Sequence, residues 1–375
     1  MSIQFIDLAA QQSRIREKLD KRIADVLDHG KYIMGPEVAE LEQQLSAFSG
    51  AKHAITCANG TDALQIALMA IGVKAGDAVF CPSFTFAATA EIVPLLGATP
   101  VFIDVNASDF NIDTESLINA IAGAKALGLR PAGVIPVDLF GLPASYNEIQ
   151  EIADEHNLWV LSDSAQGFGS TYNGQRAGSL GDVATTSFFP AKPLGCYGDG
   201  GAVFTSSDEL AALIKSFRVH GKGTHKYDNE RIGVNSRLDT LQAAILLEKL
   251  AVYDAEIEAR QAVALRYNEG LSDLIETPYV SNDKVSVWAQ YTLKTPEGMD
   301  RAKIMDGLKN KGVPSVVYYP MPLHQQTAFQ SGIVPSKGLP VSEALSQSVF
   351  SLPMHPYLEK EEQDVIIEAL RSELR

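Results

Sequence analysis

Lys192 lies between Pro190 and Pro193, with an apolar run before it and several glycines soon after it. Each proline fixes its own φ, and Pro193 also disfavours the helical region for Lys192. So stiff a backbone can aim an ammonium group at one target, and aimed lysines form Schiff bases with carbonyl compounds. The alternative is a surface lysine in an ordinary loop, and the rest of the sequence must decide between the two.

Asp163 follows the apolar run Leu158–Leu161, which has the length and composition of a buried strand. A carboxylate at the end of such a strand can pair with a protonated pyridine nitrogen and keep that ring cationic, as an electron acceptor. Asp104 and Asp138 also come just after apolar runs. The alternative for an acid in this position is a turn or a helix cap.

A phosphate site is indicated further upstream. The apolar run Ala54–Cys57 leads through Asn59 and Gly60 into the helical pattern Ala63–Leu68. Glycine lets backbone approach an anion, and the free amides and dipole of a helix N-terminus favour negative charge. An ordinary turn with a helix cap is the alternative.

Two further residues complete a pattern. The hydroxyl of Ser187 could bind the same phosphate, and Phe86 could lie over one face of a planar ring. A phosphate cradle, a stacking aromatic, a ring-nitrogen acid and a lysine, in that order along the chain, predict a site for pyridoxal 5′-phosphate (PLP).

The elements that must position these residues alternate between short apolar runs and helical patterns. This alternation predicts an α/β fold with a mainly parallel sheet flanked by helices, and ligands bind beyond the carboxyl ends of such strands. We predict a large domain at 1–250 and a smaller α+β domain at 251–375. Further elements are expected as follows: strands near Gly133–Val137, Trp288–Thr292 and Val316–Tyr319, helices at Ala302–Lys311 and from Glu359, and a long helix from Leu238 past Lys249.

Composition excludes several classes of function. The chain has 375 residues, 46% of them hydrophobic, and a formal net charge of −15. So acidic a chain is a poor partner for nucleic acid or an anionic membrane. Its three cysteines are too widely spaced for a disulfide framework or a zinc site, and we see no membrane span or signal peptide. We therefore expect a cytoplasmic protein without a metal site.

Motifs along nearly the whole chain resemble the DegT/DnrJ/EryC1/StrS family of nucleotide-sugar aminotransferases, which are PLP enzymes of fold type I. They are Phe5–Leu8, Gly35–Glu42, Asn59–Leu64, Pro82–Phe86, Asp163–Gln166, Ser187–Lys192, Arg218–Gly221, Gly233–Asp239, Gln242–Ala244 and Tyr319–His324.

The resemblance implies a role for each matched residue. Lys192 looks like the Schiff-base lysine and Asp163 like the acid on the ring nitrogen. The other implied cofactor contacts are Gly60, Thr61 and Ser187 at the phosphate, Phe86 on the ring, Gln166 near the phenolic oxygen, and Asn235 reaching the phosphate from a second subunit.

Three substrate contacts are also implied: Arg237, across the dimer, for a carboxylate, and Tyr319 and His324 from the small domain. Arg237 could instead cap or salt-bridge its helix, and His324 could be a packed loop histidine. Many members carry a second acid or a His-rich segment after the strand aspartate. Here Ser164 and Gln166 stand in that place.

The implied activity is transfer of an amino group from L-glutamate to a keto-sugar nucleotide by a homodimer with shared sites. The segment Lys192–Gly201 resembles enzymes that aminate UDP-2-acetamido-2-deoxy-3-oxo-glucuronate, which would give a 3-amino sugar for surface polysaccharide. A dTDP-3-keto or UDP-4-keto-6-deoxy sugar is the alternative substrate.

Three other classes remain as rivals. Sugar dehydratases of this fold carry histidine in place of Lys192. A regulatory or sensor protein would keep the fold without turnover. A Rossmann oxidoreductase would need G-x-G-x-x-G spacing, which Gly198–Gly201 lacks.

Overall fold

The computed structural model describes residues 3–225 and 227–375. Its strands are β1 (His53–Cys57), β2 (Asp77–Pro82), β3 (Thr99–Ile103), β4 (Arg130–Val134), β5 (Trp159–Asp163), β6 (Thr171–Tyr172), β7 (Gln175–Arg176), β8 (Val183–Ser187), β9 (Gly201–Thr205), β10 (Lys284–Val285), β11 (Tyr291–Lys294) and β12 (Val349–Leu352).

Its α-helices are α1 (Leu8–His29), α2 (Pro36–Ser49), α3 (Gly60–Ile71), α4 (Ala88–Leu95), α5 (Thr114–Ala126), α6 (Tyr146–His156), α7 (Asp208–Phe217), α8 (Thr240–Leu271), α9 (Arg301–Asn310), α10 (Pro340–Ser348) and α11 (Lys360–Glu373). No helix within the described ranges is both long and apolar enough to cross a membrane.

A seven-stranded sheet forms the centre of the large domain, in the order β1-β9-β8-β5-β4-β2-β3. Only β9 runs against its neighbours β1 and β8, while the other pairs are parallel. Every residue of β2 and β9 is buried, as expected for strands covered on both faces. The predicted mainly parallel sheet is therefore confirmed.

Helices cover both faces of this sheet. Leu64 and Leu68 of α3 pack with Ile55 and Val203 in one buried cluster. In another cluster, residues of α5 and α6 pack against the opposite side of β2, β3 and β4. Because the helices bury both faces, the carboxyl edge of the strands is left as the place where a ligand can enter.

A smaller layer follows, in which β11 pairs antiparallel with β12 beside α9 and α11. The long helix α8 joins the two parts. Leu246 and Leu250 pack into the large domain, whereas Val263 and Tyr267 pack into the small one. The boundary at residue 250 stays a prediction, and this packing leads us to propose that the division lies within α8.

Three predicted strands are displaced or wrong. β4 ends at Val134, because Pro136 has no N–H to donate and Val137 makes only an isolated bridge to Asp163. The strand expected at Trp288–Thr292 begins only at Tyr291, because Trp288 has a φ of 49°. The strand expected at Val316–Tyr319 is absent: Val316 makes one bridge to Ser351, and the chain then turns toward a large cavity.

Candidate active site

A cavity of about 700 Å³ opens at the carboxyl edge of the sheet, between the sheet and the small-domain segment that carries Tyr318 and Tyr319. Eight of the residues predicted from sequence line it: Gly60, Thr61, Phe86, Asp163, Gln166, Ser187, Lys192 and Tyr319. The structure thus brings together side chains that lie far apart in the sequence.

One end of the cavity is formed by the start of α3. The Asn59 side chain caps this helix by accepting a hydrogen bond from the Asp62 amide (2.8 Å). A Cβ on Gly60 would lie 2.6 Å from the Cβ of Ser187, so this contact requires glycine. The Ser187 hydroxyl accepts from the Phe189 amide (3.3 Å), which leaves its proton free to donate. Helix amides, a small residue and a hydroxyl suit a phosphate group.

Asp163 ends β5 in the middle of the cavity wall and is only 5% exposed. The Thr89 hydroxyl donates to its Oδ2 (2.8 Å) and the Ala165 amide to its Oδ1 (3.2 Å). Burial raises the pKa of Asp163, while these two donors and the charge of Lys192 oppose that change. A buried carboxylate held in this way is ready to pair with a cation inside the cavity.

Lys192 also lines the cavity, in the loop between β8 and β9. Burial lowers the pKa of Lys192, and the charge of Asp163 acts in the opposite direction. A lower pKa increases the fraction of free amine near neutral pH, and free amine is the form that attacks a carbonyl group.

The loop that carries Lys192 is held from behind. The side chain of Gln242 accepts from the Tyr197 amide (2.9 Å) and donates to the Tyr197 carbonyl (3.3 Å). The Cys196 amide donates to the carbonyl of Phe188 (2.7 Å). A Cβ on Gly195 would lie 2.5 Å from a backbone oxygen of the same loop. These contacts leave the loop little freedom, as the flanking prolines led us to expect.

Gln166 and Tyr319 meet at the small-domain side. Gln166 Nε2 donates to the Tyr319 hydroxyl (3.0 Å), and Gln166 Oε1 accepts from the Phe140 amide (2.8 Å). Burial raises the pKa of Tyr319 well above its usual value, so its hydroxyl stays protonated. The ring of Phe86 lies 6.4 Å from that of Tyr319, centroid to centroid. Together they give the cavity an aromatic wall beside hydrogen-bonding groups.

Three predicted residues lie elsewhere in this chain. Asn235 is exposed and Arg237 is partly buried, and neither lines the cavity. His324 does not reach it either: its ring nitrogens lie 2.7 Å from Ser83 Oγ and 3.1 Å from Glu343 Oε1. The position of His324 therefore does not support a direct contact with substrate.

The sequence did not predict the hydrogen bond from Thr89 to Asp163, nor the hydrogen bonds around Asp138. Thr89 carries no motif that would reveal a hydroxyl aimed across the sheet. Asp138 is fully buried and accepts hydrogen bonds from Ser164 (2.7 Å), Tyr146 (2.8 Å) and the Ala144 amide (3.1 Å). Burial raises the pKa of Asp138 to about 6, although these donors lower it.

The third acid behaves as a cap. Asp104, at the end of β3, accepts from the amides of Val341 (2.9 Å) and Ser342 (2.7 Å) at the start of α10. The capping role expected for an acid in this position is therefore correct, but the capped helix lies far along the chain, in the small domain.

The chain resembles known relatives along its whole length. The UDP-2-acetamido-2-deoxy-3-oxo-D-glucuronate aminotransferase of Pseudomonas aeruginosa is 49% identical, over 98% of this chain and 99% of its own length. The pleiotropic regulatory protein of Geobacillus stearothermophilus is 39% identical, over 99% of this chain and 98% of its own length.

Solved structures agree in fold. A DegT DnrJ EryC1 StrS aminotransferase from Brucella abortus is 51% identical, with a TM-score of 0.97 and 99% of both chains covered. NtdA from Bacillus subtilis, solved with bound cofactor PMP, is 31% identical with a TM-score of 0.87, covering 99% of this chain and 83% of its own.

The model of the DegT/DnrJ/EryC1/StrS aminotransferase family matches residues 13–371, and the chain belongs to that family.

Proposed function

We propose that this chain is a PLP-dependent aminotransferase that moves an amino group from L-glutamate to a keto-sugar nucleotide. The observation that carries the proposal is one cavity in which Lys192 and Asp163 face each other beside the Gly60–Ser187 cradle. The substrate that we favour is UDP-2-acetamido-2-deoxy-3-oxo-glucuronate, because the Pseudomonas relative named for it matches along the whole chain.

The residues present fit PLP. Gly60, Thr61 and Ser187 would hold its phosphate, Asp163 its ring nitrogen, and Phe86 would lie against its ring. Lys192 would hold the aldehyde carbon covalently. When bound, PLP withdraws electrons from the Cα of the amino acid and so makes that proton acidic.

The chain itself supplies the base, Lys192, and the carboxylate that would stabilise the ring, Asp163. Lys192 Nζ would take the proton from the substrate Cα, because burial keeps the pKa of this amine below its usual value. In the second half-reaction the same nitrogen returns a proton to the sugar carbon that receives the amine. Asp163, which accepts hydrogen bonds from Thr89 and Ala165, would place a carboxylate beside the positively charged ring nitrogen of PLP.

Charge in the cavity suggests that a second subunit takes part. Among the described lining residues the charged side chains are Lys192, Asp62, Asp163 and Asp199. Glutamate, a uronate and a phosphate are all anionic, so this lining alone would repel them. Arg237 makes no ion pair or side-chain hydrogen bond within residues 3–225 and 227–375, so its cation is free to serve another site.

We propose that a homodimer supplies this cation. Tyr32, Ile33 and Met34 form an exposed apolar segment, 42–48% accessible, and Ile33 bridges to Asp239, close to Arg237 in sequence. Exposed apolar clusters of this kind favour association. Burying this face against a second copy would bring Asn235 and Arg237 toward the neighbouring cavity.

Mixing variants tests the shared site. Lys192→Ala and Arg237→Ala homodimers should each be inactive or strongly impaired, whereas their mixture should regain activity. A mixed dimer has one cavity with both defects and one with neither. If sedimentation shows a monomer, or if mixing restores nothing, Arg237 does not act across a dimer.

The function itself is tested by release of 2-oxoglutarate from glutamate with a panel of keto-sugar nucleotides. The purified enzyme should be yellow with PLP and lose that colour when glutamate is added, and the 3-oxo-glucuronate should be the fastest acceptor. Lys309→Ala, an exposed lysine in α9, serves as the control for Lys192→Ala. A preference for dTDP-3-keto or UDP-4-keto-6-deoxy sugars would favour the alternative substrate.

Two other classes are less well supported. Sugar dehydratases of this fold carry histidine where this chain has Lys192. The Geobacillus relative is named as a regulatory protein, but a protein without turnover would not need Lys192, Asp163 and the phosphate cradle together. A colourless protein that does not bind PLP would favour that regulatory class.

A further inference from the structure

A hydrogen-bonded pair outside the cavity joins two segments whose other residues line it. Ser83 follows β2 and is fully buried, and Phe86 of the same segment lies in the cavity wall. His324 belongs to the small-domain segment that also carries Tyr319. Neither Ser83 nor His324 lines the cavity itself.

Ser83 is bonded to this second segment three times. The Leu323 amide donates to the Ser83 carbonyl oxygen (2.8 Å), and the His324 amide donates to Ser83 Oγ (3.2 Å). Ser83 Oγ and His324 Nδ1 lie 2.7 Å apart. On its far side, His324 Nε2 lies 3.1 Å from Glu343 Oε1. Two cavity-forming segments from different domains are therefore fixed to each other at one point.

The donors in this pair can be assigned by counting protons. A carboxylate only accepts, so a His324 ring with one hydrogen carries it on Nε2 and donates it to Glu343. Nδ1 is then an acceptor, and the Ser83 hydroxyl donates to it. The same oxygen still has a lone pair for the His324 amide, so every group of the pair is satisfied.

We propose that His324 is a positioning residue, which acts through Ser83 to hold the two walls of the cofactor cavity together. The walls meet where the rings of Phe86 and Tyr319 lie 6.4 Å apart, and Tyr319 accepts from Gln166. If the Ser83–His324 bond is lost, Phe86 and Tyr319 gain freedom relative to each other. The ring of the cofactor then loses part of its contact, whichever substrate is present.

Substitutions at His324 separate its two bonds. Asparagine places an amide oxygen near the position of Nδ1 and can still accept from Ser83. Glutamine reaches only the position of Nε2, so it keeps Glu343 and loses Ser83. Ser83→Ala removes this bond from the other side and also removes the acceptor of the His324 amide. Glu343→Gln, at a side chain that is 48% exposed, is the matched control.

The test measures binding of pyridoxamine phosphate to the apoenzyme by fluorescence titration, with both half-reactions followed separately. We expect His324→Gln to raise the Kd roughly fivefold to tenfold, the effect of one buried hydrogen bond. Ser83→Ala should raise the Kd at least as much, because it removes two hydrogen bonds. The double variant should be no worse than Ser83→Ala alone, because Ser83→Ala already removes the bond that His324→Gln breaks. His324→Asn and Glu343→Gln should stay within about twofold of the wild type.

Two results would overturn the proposal. A loss confined to the sugar half-reaction, with unchanged affinity for pyridoxamine phosphate, would make His324 a substrate contact. Equal loss in the Asn and Gln variants would show that the Ser83 bond is not what matters. The Asn–Gln comparison stands even if Ser83→Ala fails to fold, and a failed amination assay with wild-type protein would leave the binding result intact.

Discussion

Replacing Gly60 by alanine tests the phosphate cradle with a single methyl group. The new Cβ would lie 2.6 Å from Ser187 Cβ and 3.2 Å from its Cα. Carbon atoms pack best at about 3.5–4.0 Å, so the start of α3 and the end of β8 must separate by roughly 1 Å or more. Ser187 cannot retreat easily, because it pairs with Gly201 in the sheet, and a Cβ on Gly201 would itself lie 2.4 Å from the Asn59 carbonyl oxygen.

This separation should lower the affinity for phosphate more than it lowers the stability of the fold. A charge-assisted hydrogen bond contributes about 1.5–3 kcal/mol, so misplacing the Ser187 hydroxyl and the helix amides should remove about 2 kcal/mol of binding free energy. That corresponds to a Kd for pyridoxamine phosphate raised about 30-fold. Alanine suits a helix better than glycine, so the change carries no intrinsic helix penalty.

Fluorescence titration of the apoenzyme measures this Kd, and urea unfolding reports stability. Gly123→Ala in α5 is the matched control, because a Cβ there meets no atom within 4 Å. It should leave the Kd unchanged and add about 0.5–1 kcal/mol of stability. Wild-type affinity in Gly60→Ala would refute the idea that this contact forms the phosphate site.

Two further predictions concern the buried acids Asp163 and Asp138. Asp163→Asn should still bind pyridoxamine phosphate but should lower kcat/KM in both half-reactions about 10²–10⁴-fold, because an amide cannot hold a cationic ring nitrogen; near-normal rates in stopped-flow assays would contradict this. For Asp138, burial raises the pKa from 3.8 to about 6, so the folded state keeps this proton to higher pH than the unfolded chain does. The stability that this proton contributes is full below about pH 4 and is lost as the pH rises past about 6. The free energy of unfolding of Asp138→Asn, measured with urea, should therefore rise by about 3 kcal/mol relative to that of the wild type between about pH 4 and 7. Parallel pH profiles for the two proteins would contradict this prediction.

Patterns local in sequence predicted much of the fold. The apolar runs Ala54–Cys57 and Leu158–Leu161 indicated β1 and β5, and the long helix expected past Lys249 corresponds to α8. Pro136 ends β4 early, and the positive φ of Trp288 delays the start of β11. The periodicity of apolar residues reveals neither effect. The strand expected at Val316–Tyr319 failed because aromatic residues, which favour strands, also line cavities, as Tyr318 and Tyr319 do here.

The site was predictable where residue type and chemistry coincide, as for Lys192, Asp163 and Gly60. It was not predictable where the partner is set by tertiary packing. The bond from Thr89 to Asp163 and the bonds between Ser83 and His324 join residues far apart in sequence, and no local signal marks either pair. The role proposed for Arg237 requires a second chain and stays a prediction.

The central claim is that the amine of Lys192 holds PLP covalently. Borohydride reduction of the PLP-loaded enzyme, followed by peptide mass spectrometry, tests this most directly. We expect the pyridoxyl group on the peptide that contains Lys192, and no labelled peptide from Lys192→Ala. A label on another lysine, or none at all in the wild-type protein, would contradict the account.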